Sequence, residues 1–280
     1  MTVEEQETDT DSPDPADSPL LHFGREVQIE RERIGMSRGA LGKAAICSYS
    51  LVAKVEAGDR VPSRDFAEAC DRVFPNSNGR FTRLWPLVLR YAYPPWFRRY
   101  VDLERKASKI RMFNPGLLPG LVQTPEYARA VLRTGRPSNL DDLVTARIER
   151  QHVLTRREPE PARLALVLNE VVLRNLVGSR ETMRAQLLHL RNLAETPAHR
   201  VQIIKDKGAG HHGFHSPFGL LSFKEGADVV HVDGFPRGYL LAEPEDVANA
   251  SDAYDLLTAM AEPPDESAEM IDSISKDCYS

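Results

Sequence analysis

The stretch SRGALGKAAICSYSLVAKVEAG, residues 37–58, decides how this chain is read. It holds two short helices joined by a tight turn. Ser37 and Ser48 stand where a hydroxyl can accept a bond from an orphan amide at a helix start. After Ser37, the residues Leu41, Ala44 and Ala45 form an inward stripe. After Ser48, Val52 and Val55 sit three apart on one face, leaving Tyr49, Ser50, Ala53 and Lys54 for the other. Ile46-Cys47 makes the turn, and Gly58-Asp59 ends the second helix. Gly42 supplies the small residue that two closely crossing helices need.

Outward from this pair, FGREVQIERERIG puts Phe23, Val27 and Ile34 on one stripe and stops at Gly35. Ser63, after Pro62, caps RDFAEACDRVF, with Phe66, Ala69, Cys70 and Val73 inward. Residues 22–74 therefore read as four short helices, and FTRLWPLVLRYAY adds a connecting helix that breaks at Pro94-Pro95. From about residue 93 a second domain begins. Helices are expected at 96–111, 125–134, 139–157, 180–195 and 244–260. Strands are expected at LALVL (164–168), RVQIIK (200–205), FGLLSF (218–223) and VVHVDG (229–234), the last two forming a hairpin. The fold class is mainly α with an α+β second domain: an N-terminal bundle of four to five helices, then a helix-rich domain carrying a small antiparallel sheet. The expected divisions are a disordered acidic tail at 1–20, a helix-turn-helix domain with its connecting helix at 21–92, and an α+β domain at 93–280.

Composition narrows the functional classes. The chain of 280 residues has no run of eighteen apolar residues and no basic-then-apolar leader, so a cytoplasmic protein without membrane contact is expected. Cys47, Cys70 and Cys278 are too few and too irregular for a disulfide framework or a zinc site. The net charge of −5 is unevenly spread: residues 76–115 carry nine basic side chains against Asp102 and Glu104, and residues 1–20 carry seven acids and no Lys or Arg. A locally basic surface can still meet an anion. The segment 80–111 is a candidate for phosphate contacts or for an acidic partner.

The layout of residues 37–58 is that of a helix-turn-helix, whose second helix offers polar side chains to base edges while flanking donors hold phosphates. The bland alternative is a four-helix interaction module with a solvated polar face. Ser37 to Gly58 resembles, without gaps, the core of Xre-type regulators, with Leu41, Ser48, Val52, Val55, Glu56 and Gly58 at matching positions. The resemblance implies that Arg38, Tyr49, Ser50, Ala53 and Lys54 face bases or backbone. It also implies that Arg60, Lys43 and Ser48 reach phosphates, and that Arg31 pairs with Glu56. Two positions depart from the pattern. Ile46 stands where glycine is usual, and is strained if that residue needs a positive φ. Gly42 replaces the usual alanine.

In the second domain, MFNPGLLPGLVQTPEYARAVL combines an irregular loop with a helix started by Thr124-Pro125. Phe113, Leu117, Leu118 and Leu121 are too apolar for an exposed loop. They either plug a core or line a ligand or partner groove, with Phe113, Leu118 and Leu121 as the groove candidates. This stretch, with PPWFRRYVDLERKA, RIERQHVLTR, GAGHHGFHSPFGLLSF and PEDVANASDAYDLL, resembles the C-terminal domain of the actinobacterial WhiJ-like, antitoxin-like regulators. That resemblance implies a transcriptional regulator of development or secondary metabolism. Separately, residues 21–75, with nine basic and eight acidic side chains, predict weak binding by one copy, so a nucleoid-associated homodimer is expected. Its expected partners are double-stranded DNA, a small acidic BldB-like protein and an unknown small-molecule effector. The competing class is an antitoxin-like protein that mainly sequesters its partner.

No cofactor is expected. His211, His212 and His215 raise a metal site, but no nearby Cys supports it, and loop histidines are the simpler reading. No G-x-S-x-G elbow and no Gly-rich loop after a strand points to an enzyme. Glu170 and Asp233, at strand ends, are the carboxylates to check, whereas Tyr127 and Trp96 read as core.

Overall fold

The computed structural model describes residues 18–206 and 216–280. Most of the expected acidic tail, and His211, His212 and His215, lie outside the described residues. The tail's expected end at residue 20 is corrected, because Pro19 already opens a helix. The chain forms two compact units that divide between Ala92 and Tyr93.

Among the described residues the first unit has five helices: α1 (Pro19–Arg33), α2 (Arg38–Ala44), α3 (Tyr49–Glu56), α4 (Arg64–Val73) and α5 (Arg80–Arg90). Local chemistry starts them. Ser37 Oγ accepts from Ala40 N at 3.1 Å, Ser48 Oγ from Leu51 N at 3.1 Å, and Ser63 Oγ from Phe66 N at 3.2 Å. α5 begins after Gly79, which has no side chain to cap it. Asp71 of α4 serves instead, its carboxylate accepting from Phe81 N, Thr82 N and Thr82 Oγ1 at 3.1, 2.8 and 2.6 Å. Phe23, Val27, Leu41, Val52, Val55, Phe66 and Phe81 fill the core. The Phe81 ring meets Phe23 edge-on at 5.5 Å and leans on Phe74 at 5.4 Å.

The second unit runs α6 (Pro95–Glu104), β1 (Lys109–Asn114), α7 (Pro125–Arg133), α8 (Leu140–Arg150), α9 (His152–Thr155), β2 (Arg163–Asn169), α10 (Val171–Arg174), α11 (Arg180–Ala194), β3 (Arg200–Ile204), β4 (Phe218–Ser222), β5 (Val229–Val232), β6 (Tyr239–Leu241), α12 (Pro244–Met260) and α13 (Pro264–Tyr279). The strands form one sheet in the order β3-β2-β1-β4-β5-β6. β1, β2 and β3 are parallel; β4, β5 and β6 continue antiparallel from β1. The helix-rich unit with a small sheet is as expected, but the sheet is mixed rather than antiparallel. Its parallel half is covered on both faces, which is why LALVL is apolar throughout instead of alternating. On one face Ile110, Met112, Leu164, Leu166 and Ile203 pack with residues of α7, α11 and α13. On the other, Phe113, Val167, Leu220 and Val230 pack under Tyr254 and Leu257 of α12.

The helix expected at 96–111 ends at Glu104, and KIRMFN is strand β1, inside the sheet. Ile110 and Met112 face one core and Phe113 the other. Arg111 is held against α12, with Nη1 donating to Ser251 Oγ at 2.9 Å and its guanidinium 5.7 Å from the Tyr254 ring. The helix expected over 139–157 is divided at Gln151 into α8 and α9. β6 and α13 were not expected.

Candidate functional site

The α2–α3 pair has the helix-turn-helix arrangement. Val52, Val55 and Glu56 are buried, and α3 turns Tyr49, Ser50 and Lys54 outward, with Ala53 half-buried between them. Ser48 and Lys43 are exposed and Arg60 is half-buried. Ser48 already uses its oxygen as an N-cap acceptor, leaving its O–H to donate.

Both departures from the motif have structural consequences. Ile46 adopts φ 53° and is 95% exposed, so the turn keeps the left-handed conformation despite a β-branched side chain. That costs about 1–2 kcal/mol with no burial in return. At Gly42, a Cβ would lie 2.8 Å from the Cys47 carbonyl oxygen, so the turn passes where an alanine methyl would be. A second close crossing was missed from sequence. A Cβ on Gly24 would lie 2.2 Å from the Val55 carbonyl oxygen, so α1 lies directly on α3. The available signal was a glycine inside a helical apolar stripe.

Glu56 binds α1, α2 and α3 together. Its side chain is 1% exposed. Arg31 Nε donates to Oε1 at 2.6 Å, and Arg31 Nη2 and Arg38 Nε donate to Oε2 at 3.1 and 2.7 Å. The bond to Glu56 holds both guanidinium pKa values above their ordinary range. Arg38 is therefore partly committed inside the protein, and its orientation toward a ligand is set by Glu56.

The basic segment 80–111 is partly neutralised in place. Arg80 pairs with Glu26 at 2.9 Å and Glu30 at 2.5 Å, Arg83 donates to the Asn78 carbonyl, and Arg98 Nε donates to the Tyr93 carbonyl at 3.2 Å. A count of charges along the chain does not show this pairing.

The second unit holds a cavity of about 700 Å³. α6 contributes Trp96, Phe97 and Tyr100, β1 contributes Met112 and Asn114, and the following loop contributes Leu117 and Leu118. α7 and α8 add Leu132, Leu143, Arg147 and Arg150; β5 and its end add His231 and Asp233. Of the groove candidates, only Leu118 lines it. Leu121 is buried in the core, and Phe113 lies under α12 on the other face of the sheet. Trp96, expected in the core, is 39% exposed and lines the cavity, whereas Tyr127 is buried. Asp233 lines the cavity, but Glu170 does not: its oxygens accept from Arg174 Nε at 2.8 Å and Asp206 N at 3.1 Å. The His231 ring lies 4.1 Å from Tyr100, and burial lowers its pKa. Cys47, Cys70 and Cys278 are free thiols. Among the described residues no group of His, Cys, Asp or Glu is placed to hold a metal, and no helix is long and apolar enough to cross a membrane.

A capped, closely crossed helix pair with a polar outer face defines a helix-turn-helix protein, and residues 22–74 match the family described as a helix-turn-helix domain. The chain is thus a DNA-binding regulator in general type, which points away from an enzyme. Residues 97–273, more than half of the chain, match the family described as a domain of unknown function, DUF5753, and the chain belongs to that family. No curated protein and no solved structure matches it.

Proposed function

We propose that the protein is a sequence-specific transcriptional regulator that reads DNA with α3 and is controlled through its second unit. The observation that carries this reading is the division of α3: Val52, Val55 and Glu56 are locked inward, while Tyr49, Ser50 and Lys54 are presented together. Polar and cationic side chains along the outer face of such a helix suit base edges in a major groove, with Lys54, in the last turn of α3, donating to guanine O6 or N7. Arg38, Ser48, Lys43 and Arg60 hold the backbone. Residues 21–75 carry nine basic and eight acidic side chains, and several of the arginines are paired with the protein's own carboxylates. One copy should bind weakly, so a homodimer on a two-fold operator fits the charge balance. The resemblance to WhiJ-like regulators supports an actinobacterial role in development or secondary metabolism, at the nucleoid.

A second reading, suggested by the resemblance to antitoxin-like regulators, is a protein acting mainly by holding a small acidic BldB-like partner. Selection of duplexes from randomised DNA separates the two. The regulator yields one enriched site. Lys54→Ala and Ser50→Ala change that site, and Arg60→Ala weakens all sequences alike. Enrichment of no sequence by folded wild-type protein moves the function to the partner.

A further inference from the structure

The cavity of the second unit contains a cation, Arg147, that forms no ion pair with a carboxylate among the described residues. Arg147 and Arg150 both come from α8, one turn apart, but their environments differ. Arg150 donates Nε and Nη2 to the two oxygens of Glu104, each at 2.7 Å. Its guanidinium also lies 5.0 Å from the Phe97 ring centroid and 5.5 Å from that of Tyr100. It is a structural ion pair, fully used. Arg147 donates Nη1 to Gln123 Oε1 at 3.0 Å, and among the described residues no carboxylate forms an ion pair with it. Burial, and then the like charge of Arg150, push its pKa down to about 10. A guanidinium in a cavity whose wall also includes Trp96, Leu132 and Leu143, beside a second cation, is a costly arrangement, which an anion entering the cavity would relieve.

We propose that this cavity binds a small amphipathic carboxylate: a flat apolar body whose single negative charge seats on Arg147 and which carries a hydroxyl toward the sheet. The volume, about 700 Å³, is that of a small-molecule site, and the aromatic wall from α6 suits a flat body. A guanidinium pairs a carboxylate through two parallel bonds. The charge count argues for a monoanion. Glu104 already neutralises Arg150, so among the described wall residues Arg147 is the one cation left to meet an anion, and with Asp233 also on the wall the second charge of a phosphate would have no cation to face. The hydroxyl follows from Asn114, a 92% buried wall residue whose Oδ1 has no hydrogen-bond partner. A buried acceptor left unpaired is rare, and a ligand donor would satisfy it.

The regulatory meaning of this site rests on the proposed control through the second unit, but its occupancy can be read without DNA. Three probes, 6-hydroxy-2-naphthoate, its neutral amide and 2-naphthoate, are titrated into the full chain by calorimetry. Trp96, on the cavity wall, gives a fluorescence readout. The hydroxy acid is expected to bind saturably, one per chain, at least about tenfold tighter than the amide and tighter than 2-naphthoate. Arg147→Gln should abolish the acid-over-amide preference without changing amide binding. Asn114→Leu should abolish the advantage of the hydroxyl. Leu143→Trp, which fills the cavity, should block all three probes while both arginines remain. Circular dichroism confirms that each variant is folded. Equal affinity for acid and amide, an unchanged preference in folded Arg147→Gln, or no saturable binding to wild type up to about 1 mM would overturn the assignment. A separate DNA-binding arm with the hydroxy acid present isolates the regulatory reading. Bound probe without any effect on DNA removes control by this ligand class and leaves the site standing. Failure to bind the probe removes the site and leaves DNA recognition untouched.

Discussion

Glu56→Ala tests the first unit most sharply. The substitution strands Arg31, whose side chain is 9% exposed, without its main counter-ion. It also releases Arg38 from the Oε2 oxygen that orients it. Breaking a buried pair by removing one partner costs about 3–5 kcal/mol. Arg31 keeps a 3.2 Å contact to exposed Glu32 and a 2.8 Å bond to the Met36 carbonyl, so the lower end, about 3 kcal/mol, is expected. A unit of this size has a total stability of about 4–11 kcal/mol, so the loss is large. The double substitution Arg31→Met with Glu56→Leu removes both charges and fills the space. It should recover stability to within about 1 kcal/mol of wild type. The assay is urea unfolding followed by Trp85, which is buried in this unit with Nε1 donating to the Pro62 carbonyl at 2.8 Å. A Trp96→Phe background removes the other tryptophan signal. A loss below about 1 kcal/mol for Glu56→Ala, or a double variant no more stable than the single one, would refute the buried clamp.

Other expectations can be checked with the same unfolding assay. Ile46→Gly relieves a left-handed β-branched residue and, after the entropy of the added glycine, should raise stability by about 1 kcal/mol or less; a loss would show that Ile46 is not strained. Gly42→Ala gains about 1 kcal/mol of helix propensity but forces a methyl against the Cys47 carbonyl at about 1–3 kcal/mol, so a net loss is expected. For Asp71, burial acts to raise its pKa, but bonds donated by Thr82 and Phe81 outweigh it and leave the value lowered. Its contribution is present above the unfolded carboxylate pKa and disappears as pH falls through the lower folded value; Asp71→Asn should flatten that acid limb. In the second unit, burial lowers the pKa of His189, His199 and His231. Below the ordinary histidine pKa the unfolded chain takes up protons that the folded unit refuses, so the second unit's melting temperature should fall on acidification.

Much of the first unit was legible because the devices that start and orient its helices are local. Ser37, Ser48 and Ser63 cap the helices that follow them within three residues, and the apolar stripes repeat within a turn or two. Asp71 capping α5 and the close crossing at Gly24 were not, since each depends on a partner in another helix. The second unit shows the same limit more strongly. KIRMFN follows a helix and contains two long cations, and only the flanking strands and α12 show that Arg111 and Phe113 belong to one face and Ile110 and Met112 to the other. Parallel pairing of β1, β2 and β3 is set by crossover helices, which leave no signature in the strands beyond continuous apolarity. The cavity draws on residues from Tyr93 to Asp233, so Trp96 looked like an ordinary core aromatic. Nothing local in the sequence separated Arg147 from Arg150.

The central claim is that the outward face of α3 reads bases. The most direct measurement is fluorescence anisotropy of the full protein on the selected duplex and on a scrambled one, across a salt series, with wild type and Lys54→Ala side by side. A base contact predicts that Lys54→Ala loses about 1–3 kcal/mol on the selected duplex, little on the scrambled one, and keeps the salt slope. Equal losses on both duplexes, with the slope reduced by about one, would place Lys54 on a phosphate and contradict the assignment of α3 as the reading helix.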